Sequence, residues 1–414
     1  MVLLTPVLLL IILSKKKFRA GFWQKSGFYN ASLKELLSSL KQKPVWFHAV
    51  SVGETLAVID LVKEFKSRNH DVPIVFSTVT YTGQQIAVNR LGNIATIIYF
   101  PFDLGFIVKK VIDLINPAFV VVVETEIWPA FCFRLKKKNI PLLIVNGRLS
   151  PKSFNNYKSF KFFFKSVLDS FTCLLMQAQI DADRIMQIGA KKEKVRVVGN
   201  LKYDIKPKFT ASDIENLKNE LALFDNDKVI IAGSTHSGEE EAIINLYLKL
   251  KNDIDNLKLI LVPRHPERYD EVISLMNSKT LSFGRRTLSN TFAEESVFLL
   301  DTMGELLSFY SVSDIAFVGG SLIEKGGHNP LEPAVYSVPV VVGPHTFNFL
   351  DITNYMVSSN AAVQVSSSDE LYDVFKKFLL DKEYYNKYRN ACQTVFEANK
   401  GATETTLKIM EELL

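Results

Sequence analysis

Residues 314–334 read DIAFVGGSLIEKGGHNPLEPA. The run at 314–318, apolar throughout after Asp314, stops at Gly319 and Gly320, and a second glycine pair follows at 326 and 327. A strand without polar alternation is one covered on both faces, as in a parallel sheet flanked by helices. Asn329 as N-cap, Pro330 at N1 and Glu332 at N3 then predict a helix start. Glycines beyond a buried strand let a ligand approach the backbone, and a helix start favours an anion such as phosphate. Glu332 there can accept hydrogen bonds from a ribose diol; the bland alternative is a purely structural loop. The stretch lacks the Lys-Ser/Thr of a phosphate-binding P-loop and the spacing of a dinucleotide fingerprint, so neither a kinase nor a dehydrogenase fits.

The same strand-then-loop grammar runs along the chain. Apolar, β-rich runs occur at 45–50, 73–78, 94–99, 118–123, 141–145, 172–176 and 195–198. Further runs follow at 228–232, 258–262, 296–300, 314–318 and 338–342. Amphipathic stretches between them make a βαβ series, hence an α/β fold with parallel sheets. The pattern breaks over the polar segment 203–227, which places a linker near 203–210. The expected architecture is two Rossmann-like, doubly wound domains facing a central cleft. Residues 1–25 are expected to form an anchor with a basic flank, 26–205 the first domain, and 206–414 the second.

Charge divides at the same place. Residues 1–205 carry 29 Lys+Arg against 14 Asp+Glu, while the remainder carries 20 against 30. A basic half suits anionic lipid or a phosphorylated substrate; without base-stacking motifs, nucleic acid is not expected as a partner. The three cysteines have no paired spacing and read as buried small apolar residues. MVLLTPVLLLIIL, residues 1–13, is followed at once by Lys15, Lys16, Lys17 and Arg19. The run is short for a full span and lacks a cleavage site, so it reads as an uncleaved anchor held at the cytoplasmic face.

Ligands of such sheets lie beyond the carboxyl ends of the strands, so the residues following each run are the candidates. Ser51-Val52-Gly53-Glu54 follows the first. S-x-x-E is a capping box, yet Glu54 is also a carboxylate at a strand end, suited to take a proton from a hydroxyl. Both readings hold together if Ser51 caps the helix while Glu54 faces the cleft. Glu124-Thr125-Glu126-Ile127-Trp128-Pro129 follows 118–123, and Asn200-Leu201-Lys202 follows 195–198. Arg148 and Lys202 are candidate phosphate contacts or plain surface charges. In the second half, Ser237 with Glu240 reads as another capping box, and Pro263-Arg264-His265-Pro266 as a rigid phosphate clamp. Three Asp-x-Asp pairs, 181/183, 225/227 and 253/255, read as caps and turns, and no metal site is expected. Segment 151–171 interleaves aromatics with Lys152, Lys158, Lys161 and Lys165, as core or as a face for a membrane surface.

Nine segments, HAVSVGET, ETEIWP, GRLS, GNLKYD, GSTHSGEE, LVPRHPER, DTMGEL, FVGGSLIEKGGHNPLEP and GPHTFNF, occur in this order. Together they closely resemble the bacterial 3-deoxy-D-manno-octulosonic acid (Kdo) transferases over roughly residues 18–400. The resemblance implies a GT-B fold and inverting, metal-independent transfer of Kdo from CMP-Kdo to the lipid A precursor lipid IV-A. It implies no cofactor, and a place on the cytoplasmic side of the cell inner membrane. By similarity Glu54 is the general base, and Glu126 and Lys202 stabilise the transition state. CMP contacts fall on Pro263 and Arg264, on Met303, Gly304 and Glu305, and on Asn329, Pro330, Leu331 and Glu332. Two competing readings are a GT-B transferase using another sugar nucleotide and lipid, and a non-catalytic nucleotide-binding protein. Preference for CMP over UDP tests the first, and the effect of Glu54→Ala the second.

Overall fold

The computed structural model describes residues 21–414 apart from 206, 290 and 293–295. The apolar run 1–13 and the basic cluster after it lie outside the described residues. The chain divides into two units: residues 1–204 with 399–414, and residues 205–398.

The first unit is built on a seven-stranded parallel sheet, order β3-β2-β1-β4-β5-β6-β7. Its strands are β1 (Val45–His48), β2 (Ile74–Thr78), β3 (Thr96–Tyr99), β4 (Phe119–Val123), β5 (Leu142–Gly147), β6 (Cys173–Met176) and β7 (Val195–Val197). β1 and β4 pair in parallel although two strands and three helices separate them in sequence, so the strand order reverses between them. Every residue of β1, β2, β4 and β5 is buried, which is why these strands read as continuous apolar runs. One face of the sheet packs Trp46, Val120, Val122 and Ile144 against Phe131 and Ile112. The other packs Phe47, Val121 and Val145 against Val58, Val62 and Phe65 of the helix Val52–Arg68.

The second unit repeats the plan with a seven-stranded parallel sheet, order β10-β11-β9-β8-β12-β13-β14. Here β8 is Lys228–Thr235, β9 Leu257–Pro263, β10 Phe283–Arg285, β11 Val297–Leu299, β12 Ile315–Val318, β13 Val340–Val342 and β14 Ala362–Gln364. β8 pairs with both β9 and β12, so this order reverses between β8 and β12. All twelve strands expected from the sequence are present. β10 and β14 were not foreseen, because each has only three residues and ends in a polar one, Arg285 or Gln364.

The domain expectation of 206–414 needs one correction. The helix Ala402–Glu411 belongs to the first unit, where Leu407, Ile409 and Met410 join the core beneath Val58 and Leu61. Polar bonds fasten its start: Asp204 accepts from the backbone N–H of Gly401 (3.0 Å) and Thr403 (2.6 Å), and Arg68 pairs with Glu404 at 2.6 Å. Asp204 thus supplies the N-terminal acceptor that Gly401, the residue preceding the helix, lacks.

Candidate active site

In open parallel sheets the strand-order reversal opens a crevice at the carboxyl ends of the strands. In the first unit the segments after β1 and β4 meet there. Ser51 caps the helix Val52–Arg68, its hydroxyl oxygen accepting from Glu54 N–H at 3.4 Å. Glu54 does not stand free of that cap, contrary to the division of labour expected from the sequence. Its Oε1 accepts from the Ser51 hydroxyl at 2.8 Å and its Oε2 from Val50 N–H at 2.7 Å. The carboxyl group is fixed from both sides and buried. Burial raises its pKa, the Val50 and Ser51 hydrogen bonds oppose that rise, and Glu124 and Lys202 act on it through space. It is therefore tied to the capping hydroxyl of Ser51 and to the Val50 amide, without the Ser51 N–H bond of a full capping box, and is also a member of a charged cluster.

The pairing within that cluster is selective. Lys202 donates to Glu124 Oε1 at 3.1 Å, both side chains being mostly shielded from solvent. Glu126 makes no such pair. Burial, then the charges of Glu54 and Glu124, push its carboxyl up to about 7. Glu124 also sits at φ 57, in the left-handed region that costs a non-glycine residue roughly 1 kcal/mol or more. Its N–H nevertheless donates to Val145 O at 2.9 Å, which locks the turn onto β5. A strained backbone that delivers a carboxylate to a lysine across the sheet is the signature the sequence could not display. Asn146, also left-handed at φ 54, accepts from Leu201 N–H at 3.0 Å and so anchors the short helical turn Leu201–Tyr203 that carries Lys202.

His48, at the end of β1, is fully buried, stacks on Phe100 at 3.8 Å, and contacts Ser77 Oγ at 3.0 Å. Burial lowers its pKa to about 3, so it is a neutral core residue. Arg148 lies beyond β5, its backbone N–H donating to the Thr125 hydroxyl at 3.1 Å.

In the second unit the residues expected from the sequence to contact a nucleotide lie at the carboxyl ends of β9, β11 and β12. Pro263 closes β9 and is buried, whereas Arg264 is exposed and has no carboxylate partner among the described residues. Met303 is exposed and Gly304 adopts φ 92. Glu305 is held by Arg286 at 2.8 Å and by the Thr302 hydroxyl. The helix starts one residue later than expected, with Pro330 and not Asn329 as its N-cap, although Asn329 Oδ1 accepts from Leu331 N–H at 3.1 Å. That helix is only Leu331–Ala334, with Pro330 and Leu331 buried and Glu332 half-buried.

Two local expectations fail for one reason. Ser237 and Glu240 do not form a capping box; Ser237 bonds Glu271 at 3.2 Å and Glu240 pairs with Arg268 at 2.6 Å. The neighbouring carboxylate, Glu239, instead turns inward and is fully buried. It accepts from the backbone N–H groups of Gly320 (2.7 Å), Ser321 (3.0 Å), Leu322 (3.0 Å) and His236 (3.0 Å). The amides expected to wait for an anion already hold one that the chain supplies.

The aspartate pairs serve structure. Asp181 accepts from Leu149 N–H, Asp227 from Phe224 N–H, and Asp253 pairs with Lys376. Among the described residues no group of three or more His, Cys, Asp or Glu is placed to hold a metal ion. All three cysteines are buried and unpaired.

The family model described as 3-Deoxy-D-manno-octulosonic-acid transferase (kdotransferase) matches residues 20–205. A 3-deoxy-D-manno-octulosonic acid transferase from Haemophilus influenzae is 34% identical over 408 residues, 98% of this chain and 94% of that protein. The C-terminal CMP-Kdo binding domain of WaaA from Acinetobacter baumannii is 36% identical, covering 45% of this chain and 97% of that one, with a TM-score of 0.43. A UDP-GlcNAc 2-epimerase from Neisseria meningitidis, 15% identical, aligns over 89% of this chain and 99% of its own with a TM-score of 0.51. That last likeness speaks for the fold alone, the two-domain α/β arrangement of the GT-B type. The near full-length match to the Haemophilus protein decides the rest: this chain belongs to the 3-deoxy-D-manno-octulosonic acid (Kdo) transferase family of glycosyltransferases.

Proposed function

We propose that the chain transfers Kdo from CMP-Kdo to lipid IV-A, with inversion at the anomeric carbon and without a metal, at the cytoplasmic face of the inner membrane. The observation that carries the mechanistic part is the buried Glu54 carboxylate, fixed between Val50 N–H and the Ser51 hydroxyl beside the Glu124–Lys202 pair. A carboxylate so fixed pays little reorganisation when it accepts a proton. In the step, a sugar hydroxyl of the acceptor loses its proton to Glu54 as its oxygen bonds the anomeric carbon. The bond from that carbon to the phosphate oxygen breaks, its electron pair leaving with CMP. Lys202, oriented by Glu124, supplies positive charge to the developing transition state, and Glu126 completes the carboxylate set. The second unit holds the donor through Pro263, Arg264, Met303, Gly304, Glu305, Asn329, Pro330, Leu331 and Glu332.

The acceptor is a membrane lipid in this reading, and the first unit carries a surface suited to it. Phe162 is 93% exposed, Phe160 and Phe163 are exposed beside it, and Lys152, Lys158, Lys161 and Lys165 lie in the same two helices, Pro151–Ser159 and Lys161–Leu168. Phe154, Tyr157 and Phe164 of the same segment pack on the core, so part of the segment is core and the exposed phenylalanines carry the membrane-facing part of the proposal. Apolar side chains among lysines are the composition of an interfacial contact with anionic lipid. Among the described residues no helix is long and apolar enough to cross a membrane. The N-terminal anchor remains part of the proposal.

The test is incubation of the wild type and Glu54→Ala with CMP-Kdo and lipid IV-A, followed by product mass. A mass gain of one or more Kdo units with the wild type and none with the variant is expected. No gain with the wild type overturns the donor and acceptor assignment; full activity of the variant overturns only the base.

A further inference from the structure

Across the second strand-order reversal, the loops after β8 and β12 bring two histidines into contact. His236 Nε2 and His328 Nε2 lie 3.0 Å apart, with ring planes within 4° and centroids 5.3 Å apart. Those three values together mean that the rings lie edge to edge in a common plane, nitrogen facing nitrogen, and are not stacked face to face. Such a contact holds only if one proton sits between the two nitrogens. Gly320 passes close beneath: a Cβ there would stand 3.2 Å from His328 and 3.5 Å from His236, at a backbone φ of 70 that already favours glycine.

The surroundings are cationic. Arg264 and His265, from the loop after β9, act on both imidazoles, and Arg268 and Lys325 act on His236. Of the four acidic groups nearby, three are occupied, and the fourth, Glu267, is exposed to solvent. Glu239 is bound by four backbone amides, Glu240 and Glu271 by Arg268, and Glu267 is 3.9 Å from His265. Burial and these cations hold His328 down at about 4 and lower His236, so the pair is neutral when nothing else is bound. The backbone offers a phosphate little here. The amides of Gly319, Gly327 and His328 bond backbone carbonyls, and those of Gly320, Ser321 and Leu322 bond Glu239. An anion entering this edge of the sheet must be met by side chains.

We propose that His236 and His328 form a proton-sharing pair that receives the phosphate of the donor nucleotide, becoming a second cation beside the fixed guanidinium of Arg264. The proposal deepens the donor-site reading above and rests on it. When a nucleotide phosphate arrives, it offsets the repulsion that keeps the imidazoles neutral, and the pair takes a proton from solvent. When the phosphate departs, the proton returns to solvent and the pair is neutral again.

The sign of proton exchange separates this from a site of fixed cations. A phosphomonoester has its second pKa near 6, so a fixed cation favours the dianion and releases protons from the nucleotide. The histidine pair instead produces uptake. The test is calorimetric titration of CMP into the full chain at pH 7.0 in buffers of different ionisation enthalpy. Net uptake approaching about one proton per site is expected for the wild type. His328→Gln and His236→Gln, checked for folding by their circular dichroism, should lose the uptake. They should bind CMP about tenfold more weakly at pH 6.5 and converge on the wild type at pH 8.5. CMP binding by the wild type with proton release or no exchange overturns the pair and leaves the donor site standing. Absence of CMP binding overturns both.

Discussion

Lys202 Nζ lies 3.1 Å from Glu124 Oε1, so the lysine takes the first carboxylate of the ETE triplet as its partner and leaves the second, Glu126, without one. The lysine is also a cation that lowers the pKa of Glu54. If Lys202 has the proposed transition-state role, Lys202→Ala should reduce kcat by about 10²-fold or more. It should also move the acid limb of the rate profile to higher pH, because Glu54 then keeps its proton longer. Glu124→Gln should lower kcat in the same direction with little change in KM for CMP-Kdo. Steady-state kinetics between pH 5 and 9 check both.

Ser51 works on Glu54 in two ways, as cap and as hydrogen-bond donor to Oε1. Ser51→Ala should cost about 1 kcal/mol of stability through the lost cap. Because the Ser51 hydrogen bond lowers the Glu54 pKa, its loss should also shift the acid limb upward. A denaturation curve reads the first effect and a pH–rate profile the second. A profile identical to wild type would show that the hydroxyl does not act on the base.

Glu126 makes the protein's stability depend on pH in an identifiable window. Its folded pKa, about 7, lies above the ordinary carboxylate value of 4.5. The folded state therefore binds the proton more tightly, and this group's stabilising contribution is fully present below about 4.5 and lost as pH rises through 7. Glu126→Gln abolishes that dependence. With solvent screening allowed for, the variant should be more stable than wild type by on the order of 1 kcal/mol at pH 8, with the gain vanishing near pH 5. Thermal unfolding at the two pH values measures it.

Phe160, Phe162 and Phe163 project beside the lysines of their two helices. Replacing all three with Ser should leave Tm nearly unchanged, since these side chains are exposed, and should weaken binding to vesicles rich in anionic lipid by about tenfold. Turnover of a soluble acceptor analogue should be unaffected. Sedimentation with vesicles, with and without added salt, checks this.

Much of the fold is legible in the sequence because parallel strands buried on both faces leave apolar runs such as Phe119–Val123 that no helix pattern explains. β10 and β14 are not, since three residues ending in Arg285 or Gln364 carry no such run. At the candidate site the chemistry-bearing segments are visible as strand-end motifs, yet their pairing is not. Glu124 and Glu126 differ in sequence only by two positions; the left-handed turn at Glu124 decides which one meets Lys202. Glu239 and Glu240 are adjacent, and only the tertiary position of the Gly320–Leu322 amides makes the first an internal anion. The cationic role of His236 and His328 depends on a contact spanning 92 positions, which no local pattern announces.

The return of the helix Ala402–Glu411 to the first unit makes residues 205–398 an insertion within that unit. During synthesis the ribosome delivers the whole second sheet before it delivers Leu407 and Met410, which complete the hydrophobic layer against Val58 and Leu61. The second unit has all its own residues first and can fold while the first still waits. Until the last helix emerges, the apolar face that Val58 and Leu61 turn toward Leu407 and Met410 stays partly uncovered, so the core of the first unit closes only after the second unit is already made.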